Sequence, residues 1–197
     1  SGGAARIVGT DRAVDFAAIA KAAKAPEDVE GFGEFVQEEA TYPNGTHICE
    51  VEIDPDTGRT EVLDYWIVDD FGATVNPILL AGQVHGGVAQ GLGQALTEDT
   101  VYGEDGQLIT ASFMDYAMPR ADDLPFIHFE TRNVPSTTNA MGIKGAGEAG
   151  TIGATPAVLN AVTDALYRAH GIDHIDMPTT PSRVWEAIRM AREADAA

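Results

Sequence analysis

Polar and apolar residues alternate along residues 46–54, and this period of two is typical of a β-strand with one buried face. The side chains on the less polar face are those of His47, Cys49, Val51 and Ile53. Residues 54–58 (Asp-Pro-Asp-Thr-Gly) carry turn signals, because Pro fixes φ, Asp caps and Gly accepts a positive φ. Residues 59–69 are rich in Val, Ile, Tyr and Trp, so the pattern predicts a β-hairpin.

Helical spacing of apolar residues replaces this alternation in four other segments. The longest begins at Asn76, places Pro77 at its first helical position and continues to about Leu96. The other predicted helices cover residues 13–24, residues 155–170 with Thr155 as N-cap, and residues 181–194. Further strands are expected over 99–102, 107–113 and 126–134, and a loop over 25–45.

These elements together predict an α+β fold, in which mixed sheets with hairpins are packed by a long Gly-rich helix and two C-terminal helices. We expect residues 1–8 to be a disordered N-terminus or foreign to the native chain, and residues 9–197 to form one folded portion. The chain starts Ser-Gly-Gly without an initiator Met, which is typical of a piece of a longer or processed protein.

The charge of the chain argues against several classes of partner. Its 31 acidic and 12 basic residues give a formal net charge of −19, and such a surface repels nucleic acids and anionic membranes. Its apolar runs are shorter than the ~18 residues of a membrane span, so none is expected. Cys49 is the single cysteine, which excludes an internal disulfide and a Cys-based zinc site and fits a reduced, cytoplasmic location.

The glycines are clustered in two stretches, residues 82–93 and 142–153. The first stretch lies in the long predicted helix, where each Gly costs ~1 kcal/mol relative to Ala. Close approach of another backbone or of a ligand would offset that cost. Gln83 lies among these glycines, and its amide suits a neutral heterocycle or a metal-oxo group. Spacing alone favours helix packing over a ligand, and both interpretations stay open.

The second stretch leads into the helix predicted from Thr155. A Gly-rich loop before a helix presents free N–H groups and the positive end of the helix dipole, so an anion could bind there. The sequence is neither a P-loop nor a dinucleotide-binding fingerprint. Glu148 is the only carboxylate in this stretch. A carboxylate held near a cofactor could act as a general base, although a solvated loop residue is the commoner case.

Several motifs follow one another along the chain: TYPNGTH with CEVEIDPDTG, VNPILLAGQVHGGVAQGLGQAL, GEDGQLITASFMDYAMPRADDLP, GIKGAGEAGTIGATPAVLNAVTDAL and IDMPTTPSRVWEAI. In order and spacing, from about Gly9 onwards, they resemble the C-terminal part of the molybdopterin-binding large subunit of the xanthine oxidase family. The resemblance is to the aerobic carbon monoxide dehydrogenase type of that subunit.

The resemblance implies that residues 9–197 are the C-terminal portion of a molybdopterin-binding domain in a molybdenum-dependent oxidoreductase. In this family a glutamate in a Gly-x-Gly-Glu loop faces the molybdenum and acts as the base, and it maps onto Glu148. The residues expected to contact the cofactor are Asp70, Asn76, Gln83, Gly86, Gly87, Lys144, Gly145, Ala146 and Gly147. No residue of this chain is expected to ligate a metal.

The resemblance also implies a set of cofactors and partners. The molybdopterin is expected as the cytosine dinucleotide, with iron–sulfur clusters and FAD on partner subunits of an oligomeric enzyme that oxidises a small molecule. In the carbon monoxide enzymes the sequence of this loop resembles Gly-Glu-Ser-Pro, whereas this chain has Gly147-Glu148-Ala149-Gly150. An aldehyde or an N-heterocycle is therefore at least as good a substrate as carbon monoxide.

The family subunit is longer than this chain, and its earlier half supplies the rest of the cofactor site. We therefore expect the isolated chain to be inactive and to bind cofactor weakly or not at all. Two alternatives remain from the residues alone. The chain could be a stand-alone nucleotide-binding module, or a purely structural α+β module whose glycines serve packing.

Overall fold

The computed structural model describes residues 3–196, apart from the side chain of Asp195, and divides into two units at Glu38 and Glu39. The N-terminal unit contains the antiparallel strands β1 (Ala4–Arg6) and β2 (Ala13–Asp15) and the helix α1 (Phe16–Ala22). Part of the stretch expected to be disordered thus forms β1, while Ser1 and Gly2 lie outside the described residues.

The first helix is shorter than the 13–24 predicted, because its opening residues form a strand. Residues 13–15 pair with β1 and leave the helix to begin at Phe16. The Asp15 carboxylate accepts a hydrogen bond from the Ala18 N–H at 2.6 Å, which caps the helix one turn later than predicted. A short 3₁₀ turn at Pro26–Asp28 interrupts the region expected to be a loop.

The C-terminal unit is built on a three-stranded sheet in the order β3-β4-β5. The predicted hairpin is confirmed: β3 (Asn44–Ile53) pairs antiparallel with β4 (Thr60–Asp70). Its turn is fixed by the Asp54 carboxylate, which accepts a hydrogen bond from the Thr57 hydroxyl at 2.7 Å. The strand predicted over 126–134 is shorter, and β5 (Ile127–Thr131) lies parallel to β4.

Three helices complete this unit: α2 (Pro77–Leu96), α3 (Ala149–His170) and α4 (Pro181–Asp195). The sheet and the helices share one apolar core. Its fully buried members include Tyr65, Ile67, Val84, Val88, Leu92, Val158, Val162, Leu166, Val184 and Ile188. Sheet, long Gly-rich helix and two C-terminal helices form the α+β fold that the sequence predicts, and the prediction of fold class is confirmed.

The strands predicted over 99–102 and 107–113 are wrong. The two segments form an isolated bridge between Tyr102 and Leu108, in which the Ile109 N–H donates to the Val101 carbonyl, but they build no ladder long enough to count as strands. After Ile109 the backbone turns on itself, and the Tyr116 N–H donates to the Ser112 carbonyl at 2.8 Å. Alternation of polar and apolar residues is not enough to form a strand, because the backbone N–H and C=O groups also need hydrogen-bond partners on a neighbouring strand.

The start of α3 is also wrong in the prediction, since the helix begins at Ala149, six residues before Thr155. The Thr155 hydroxyl lies 3.3 Å from the Gln94 side-chain oxygen, and the Thr151 hydroxyl donates to the Gly87 carbonyl at 2.9 Å. Both hydroxyls thus face α2 instead of capping a helix. Pro156 lies inside α3, which ends as predicted with Gly171 in the left-handed region.

Within residues 3–196, no helix is both long enough and apolar enough to cross a membrane.

Candidate active site

The loop that carries Glu148 is attached to the end of β4 by a buried ion pair. Lys144 Nζ lies 2.6 Å from Asp70 Oδ2, and both side chains are 10% exposed. Burial by itself would raise the pKa of Asp70. The hydrogen bonds from Lys144 and from the N–H groups of Val134 and Gly72 outweigh burial and lower that pKa to about 2. Asp70 therefore stays ionised and holds Lys144 in place.

Backbone hydrogen bonds fasten the same loop at Lys144 and two residues before it. The Lys144 N–H donates to the Phe71 carbonyl at 2.9 Å, and the Ala73 N–H donates to the Gly142 carbonyl at 2.8 Å. Gly72 has φ +64 and lies against the Gly142 carbonyl, so a side chain at position 72 would not fit. The loop is thus paired edge to edge with the chain that follows β4.

Two side chains hold the glycine part of the loop. The Gln83 amide of α2 donates from Nε2 to the Gly147 carbonyl at 3.0 Å. The Gly145 N–H lies 3.3 Å from the Thr41 hydroxyl, to which it donates. Ala146 packs against the hydrophobic core. The backbone from 145 to 147 is therefore ordered by contacts from three directions.

Glu148 lies at the junction between this loop and α3. It occupies the N-cap position, yet its side chain makes no capping hydrogen bond. Its carboxylate is exposed and borders a cavity of about 320 Å³, whose other walls include Pro43, His47, Asp69 and Ile152. Because α3 begins immediately after Glu148, the positive end of the helix dipole lies beside this carboxylate.

A second cavity, of about 410 Å³, lies along α2 on the other side of Gly147. It is lined by Ile78, Leu79, Gly82, Gln83, Gly86, Gly87, Gln90, Gly147 and Thr151. A Cβ placed on Gly82 or Gly86 would meet nothing within 4 Å. These two glycines therefore leave an open, amide-lined groove, and Gly147 lines both cavities.

Two other glycines of α2 serve helix packing. A Cβ on Gly87 would lie 2.9 Å from the Gly150 Cα, and one on Gly91 would lie 3.0 Å from the Thr151 carbonyl oxygen. The backbones of α2 and α3 thus approach closely, which offsets the low helix propensity of glycine there. The packing interpretation of the first glycine cluster therefore applies to Gly87 and Gly91, whereas the ligand interpretation stays a prediction for Gly82 and Gly86.

The structure brings together most of the residues predicted to form the site. Gln83, Gly86, Gly87, Gly145, Gly147 and Glu148 border the two cavities. The remaining polar members are occupied within the chain. Asp70 and Lys144 bind each other, and the Asn76 side chain caps α2 by accepting hydrogen bonds from the N–H groups of Ile78 and Leu79, both at 3.1 Å.

Sequence reasoning missed a buried polar group beside Glu148. His47 and Asp69 border the same cavity, with His47 Nε2 lying 3.5 Å from Asp69 Oδ1. The signal was a histidine in the buried register of β3, where the other predicted members are apolar or a thiol. Asp69 ends the second strand of the hairpin, 22 residues after His47, so local sequence gives no sign of the pairing.

Metal ligation and thiol chemistry have no candidates in the described chain. Residues 3–196 contain no cluster of three or more His, Cys, Asp or Glu side chains that could hold a metal ion. Burial, and secondarily the charge of Glu50, raise the pKa of the Cys49 thiol to about 12. A thiol with such a pKa is a poor nucleophile.

Known proteins match both the sequence and this geometry. The model of the family described as "molybdopterin cofactor-binding domain" matches residues 2–125. The chain belongs to this family. The molybdopterin cofactor-binding chain is also 43% identical over 150 residues to the nicotine 6-hydroxylase large subunit of Paenarthrobacter nicotinovorans, a match that covers 75% of this chain and 18% of the relative.

Two solved structures share the fold of this cofactor-binding chain. Quinoline 2-oxidoreductase from Pseudomonas putida 86 superposes with a TM-score of 0.72 at 41% identity, covering 75% of this chain and 19% of that one. Carbon monoxide dehydrogenase from Oligotropha carboxidovorans superposes with a TM-score of 0.74 at 35% identity, covering 78% and 19%. The resemblance found from the motifs is confirmed. The chain spans a quarter or less of the length of the curated relatives that it matches.

Proposed function

We propose that this chain is part of the large subunit of a molybdenum hydroxylase, where it holds part of the molybdopterin cofactor and supplies Glu148 as the active-site base. The observation that carries this proposal is that Gly147 lines two neighbouring cavities. One is open and lined by amides, and the other contains the Glu148 carboxylate.

The groove along α2 fits part of such a cofactor. Its polar side chains are neutral, namely Gln83, Gln90 and Thr151, and the two amides match the donors and acceptors of a pterin or a cytosine base. The open space above Gly82 and Gly86 admits a flat group against the helix backbone. When bound, the molybdenum cofactor supplies the two-electron oxidation of substrate with oxygen derived from water. We assign the cytosine dinucleotide form to this groove.

Glu148 is available to take up a proton because no hydrogen bond or ion pair within the described chain occupies its carboxylate. It makes no capping bond, and the backbone on either side is fixed by Lys144, Gln83 and α3. A base must be held close to the proton that it takes, and a rigid loop provides this. The carboxylate is exposed here, so its desolvation in an active site must come from cofactor, substrate or further protein.

An N-heterocycle is the substrate class that we favour over an aldehyde or carbon monoxide. The loop reads Gly-Glu-Ala-Gly instead of Gly-Glu-Ser-Pro. The identity to the nicotine hydroxylase subunit is 43% and to quinoline oxidoreductase 41%, against 35–38% to carbon monoxide dehydrogenases. We further propose iron–sulfur and flavin subunits as partners, as the family resemblance implies, and a cytoplasmic location, which the single cysteine of the chain fits.

Replacing Glu148 by Gln in the complete subunit tests the proposed base. The amide keeps the shape of the side chain and cannot take up a proton, so kcat should fall by at least ~10²-fold. Cofactor content, measured as molybdenum per subunit, should stay unchanged and serves as the control for folding. A rate near that of the wild type would show that another group is the base.

Metal and pterin analysis separates this proposal from its alternatives. The complete subunit should contain about one molybdenum and one pterin, whereas a stand-alone nucleotide-binding or structural module would contain neither. The isolated chain should show no turnover, since the relatives are at least four times longer than the part matched here. Hydroxylase activity of the isolated chain would contradict the assignment of the site to a larger subunit.

A further inference from the structure

Three buried polar side chains meet on the core face of the sheet, beneath the start of α3. His47 Nδ1 lies 2.9 Å from the Tyr65 hydroxyl, and His47 Nε2 lies 3.5 Å from Asp69 Oδ1. His47 is opposite Ile67 in the strand register, so Tyr65 and Asp69 flank it from two residues away on the same face. Tyr65 is fully buried and Asp69 is 3% exposed. The imidazole is thus held from both sides by one strand.

Two glycines make room for the triad of His47, Tyr65 and Asp69. A Cβ on Gly45 would overlap the Asp69 carboxylate, and a Cβ on Gly153 would lie 2.5 Å from the imidazole atoms Nδ1 and Cε1. Gly153 belongs to the second turn of α3, five residues after Glu148. The helix backbone therefore lies directly on the imidazole, with no side chain between them.

The triad lowers the free energy of unfolding of the chain. Asp69 Oδ2 is buried and has no hydrogen-bond partner within the described part of the chain. A buried acceptor without a donor costs free energy, so apolar residues at these positions would serve packing better. Burial, followed by the charges of Cys49 and Asp69, raises the pKa of Tyr65. The phenol therefore keeps its proton and can donate it to His47 Nδ1, which leaves Nε2–H to face Asp69.

We propose that His47 is a positioning residue for Glu148, with Tyr65 and Asp69 holding its imidazole in the orientation that supports α3. His47, Asp69 and Glu148 border one cavity, and Glu148 immediately precedes the helix that lies on the imidazole. A shift of that helix moves the carboxylate, and a displacement of about 1 Å at a reacting group can cost ~10²-fold in rate. The inference rests on the proposed role of Glu148 as base.

The first experiment compares three single variants in the complete subunit with its partners. His47→Ala should lower kcat by roughly 10- to 100-fold and change KM by less than about 3-fold, because the proposed role of His47 is to position the Glu148 carboxylate and not to bind substrate. His47→Gln keeps a donor toward Asp69 and should recover part of that loss. His128→Ala is the matched control: His128 also pairs with an aspartate, Asp64 at 3.1 Å, but is exposed. It should leave kcat unchanged.

The second experiment is a double-mutant cycle between His47 and Glu148. If His47 acts only through Glu148, His47→Ala should cause no further loss in the Glu148→Gln background. An equal loss in both backgrounds would overturn the positioning role while leaving Glu148 as the base. A Glu148→Gln variant with a wild-type rate would instead overturn the proposed function itself. Should His47→Ala fail to fold by circular dichroism, His47→Gln carries the same cycle.

Discussion

At the scale of single residues, the site depends on charges that the fold has buried in pairs. Asp70 and Lys144 are 74 residues apart in sequence and 2.6 Å apart in space. Their pairing is what attaches the Glu148 loop to the sheet. Both were predicted to bind cofactor, and nothing in their local sequence could reveal that each is the other's partner, because that contact exists only after β4 and the loop come together.

Replacing Lys144 by Met should destabilise the chain by roughly 3 kcal/mol at pH 7, since it leaves a buried carboxylate without its cation. The folded pKa of Asp70, about 2, is depressed below the ~3.9 of an unfolded Asp. The stabilisation is therefore fully present above the unfolded value and is lost as pH falls toward 2. Urea unfolding at pH 7 and at about pH 2.5 should show the difference between variant and wild type shrinking with acid.

The exposed Lys21→Met provides the control for this experiment, and it should be neutral at both pH values. A Lys144→Met effect of the same size at both pH values would show that the loss comes from packing of the lysine side chain instead of its charge.

At the scale of elements, sequence patterns predicted correctly the features that depend on interactions between residues close together in the chain. The hairpin turn and the start of α2 at Pro77 are determined by neighbours in sequence, and both were predicted correctly. The start of α3 was not, because Gly150 looks like a helix breaker and is instead the point where α2 packs. The proposed base, Glu148, was named from motifs, whereas the proposed role of His47 could be inferred only from the tertiary structure.

The glycines of α2 offer a matched comparison along one helix. Gly91→Ala should destabilise the chain by roughly 1–3 kcal/mol, because its Cβ would meet the Ala154 Cβ at 2.8 Å and the backbone of α3. Gly86→Ala enters open space and should stabilise it by up to ~1 kcal/mol through better helix propensity. Thermal melting measures both.

The same Gly86→Ala substitution should lower the molybdopterin content of the complete subunit, because the methyl group projects into the proposed cofactor groove. If Gly86→Ala melts at a higher temperature and yet contains less cofactor, a packing defect cannot explain the loss of cofactor. Unchanged cofactor content in Gly86→Ala would argue that the groove holds something else.

At the scale of the whole molecule, the apolar core lies entirely within residues 39–197. None of residues 3–38 is buried, so this unit has no core of its own to offset the entropy of ordering its chain. The resemblance found from the motifs covers both units, but the physical stability of the chain comes from one of them.

Trypsin should therefore cut first after Lys21 and Lys24, and a chain starting at Glu39 should melt within about 2 °C of the full chain. Mass spectrometry of the early fragments and calorimetry of the shortened chain are the measurements. A chain starting at residue 54, which lacks β3, should not fold and is the contrasting deletion. A drop of more than about 5 °C on removing residues 1–38 would show that the first unit contributes to stability.

The early start of α3 has a consequence for engineers who wish to change what such an enzyme accepts. Between the anchored Lys144 and the helix there are only three residues of loop, 145–147, before Glu148. One inserted residue must either pull Lys144 from Asp70 or rotate the entrance of the helix by about 100°, which turns the carboxylate away from its cavity. Libraries that vary the composition of this loop are therefore expected to give active members, whereas libraries that vary its length are not.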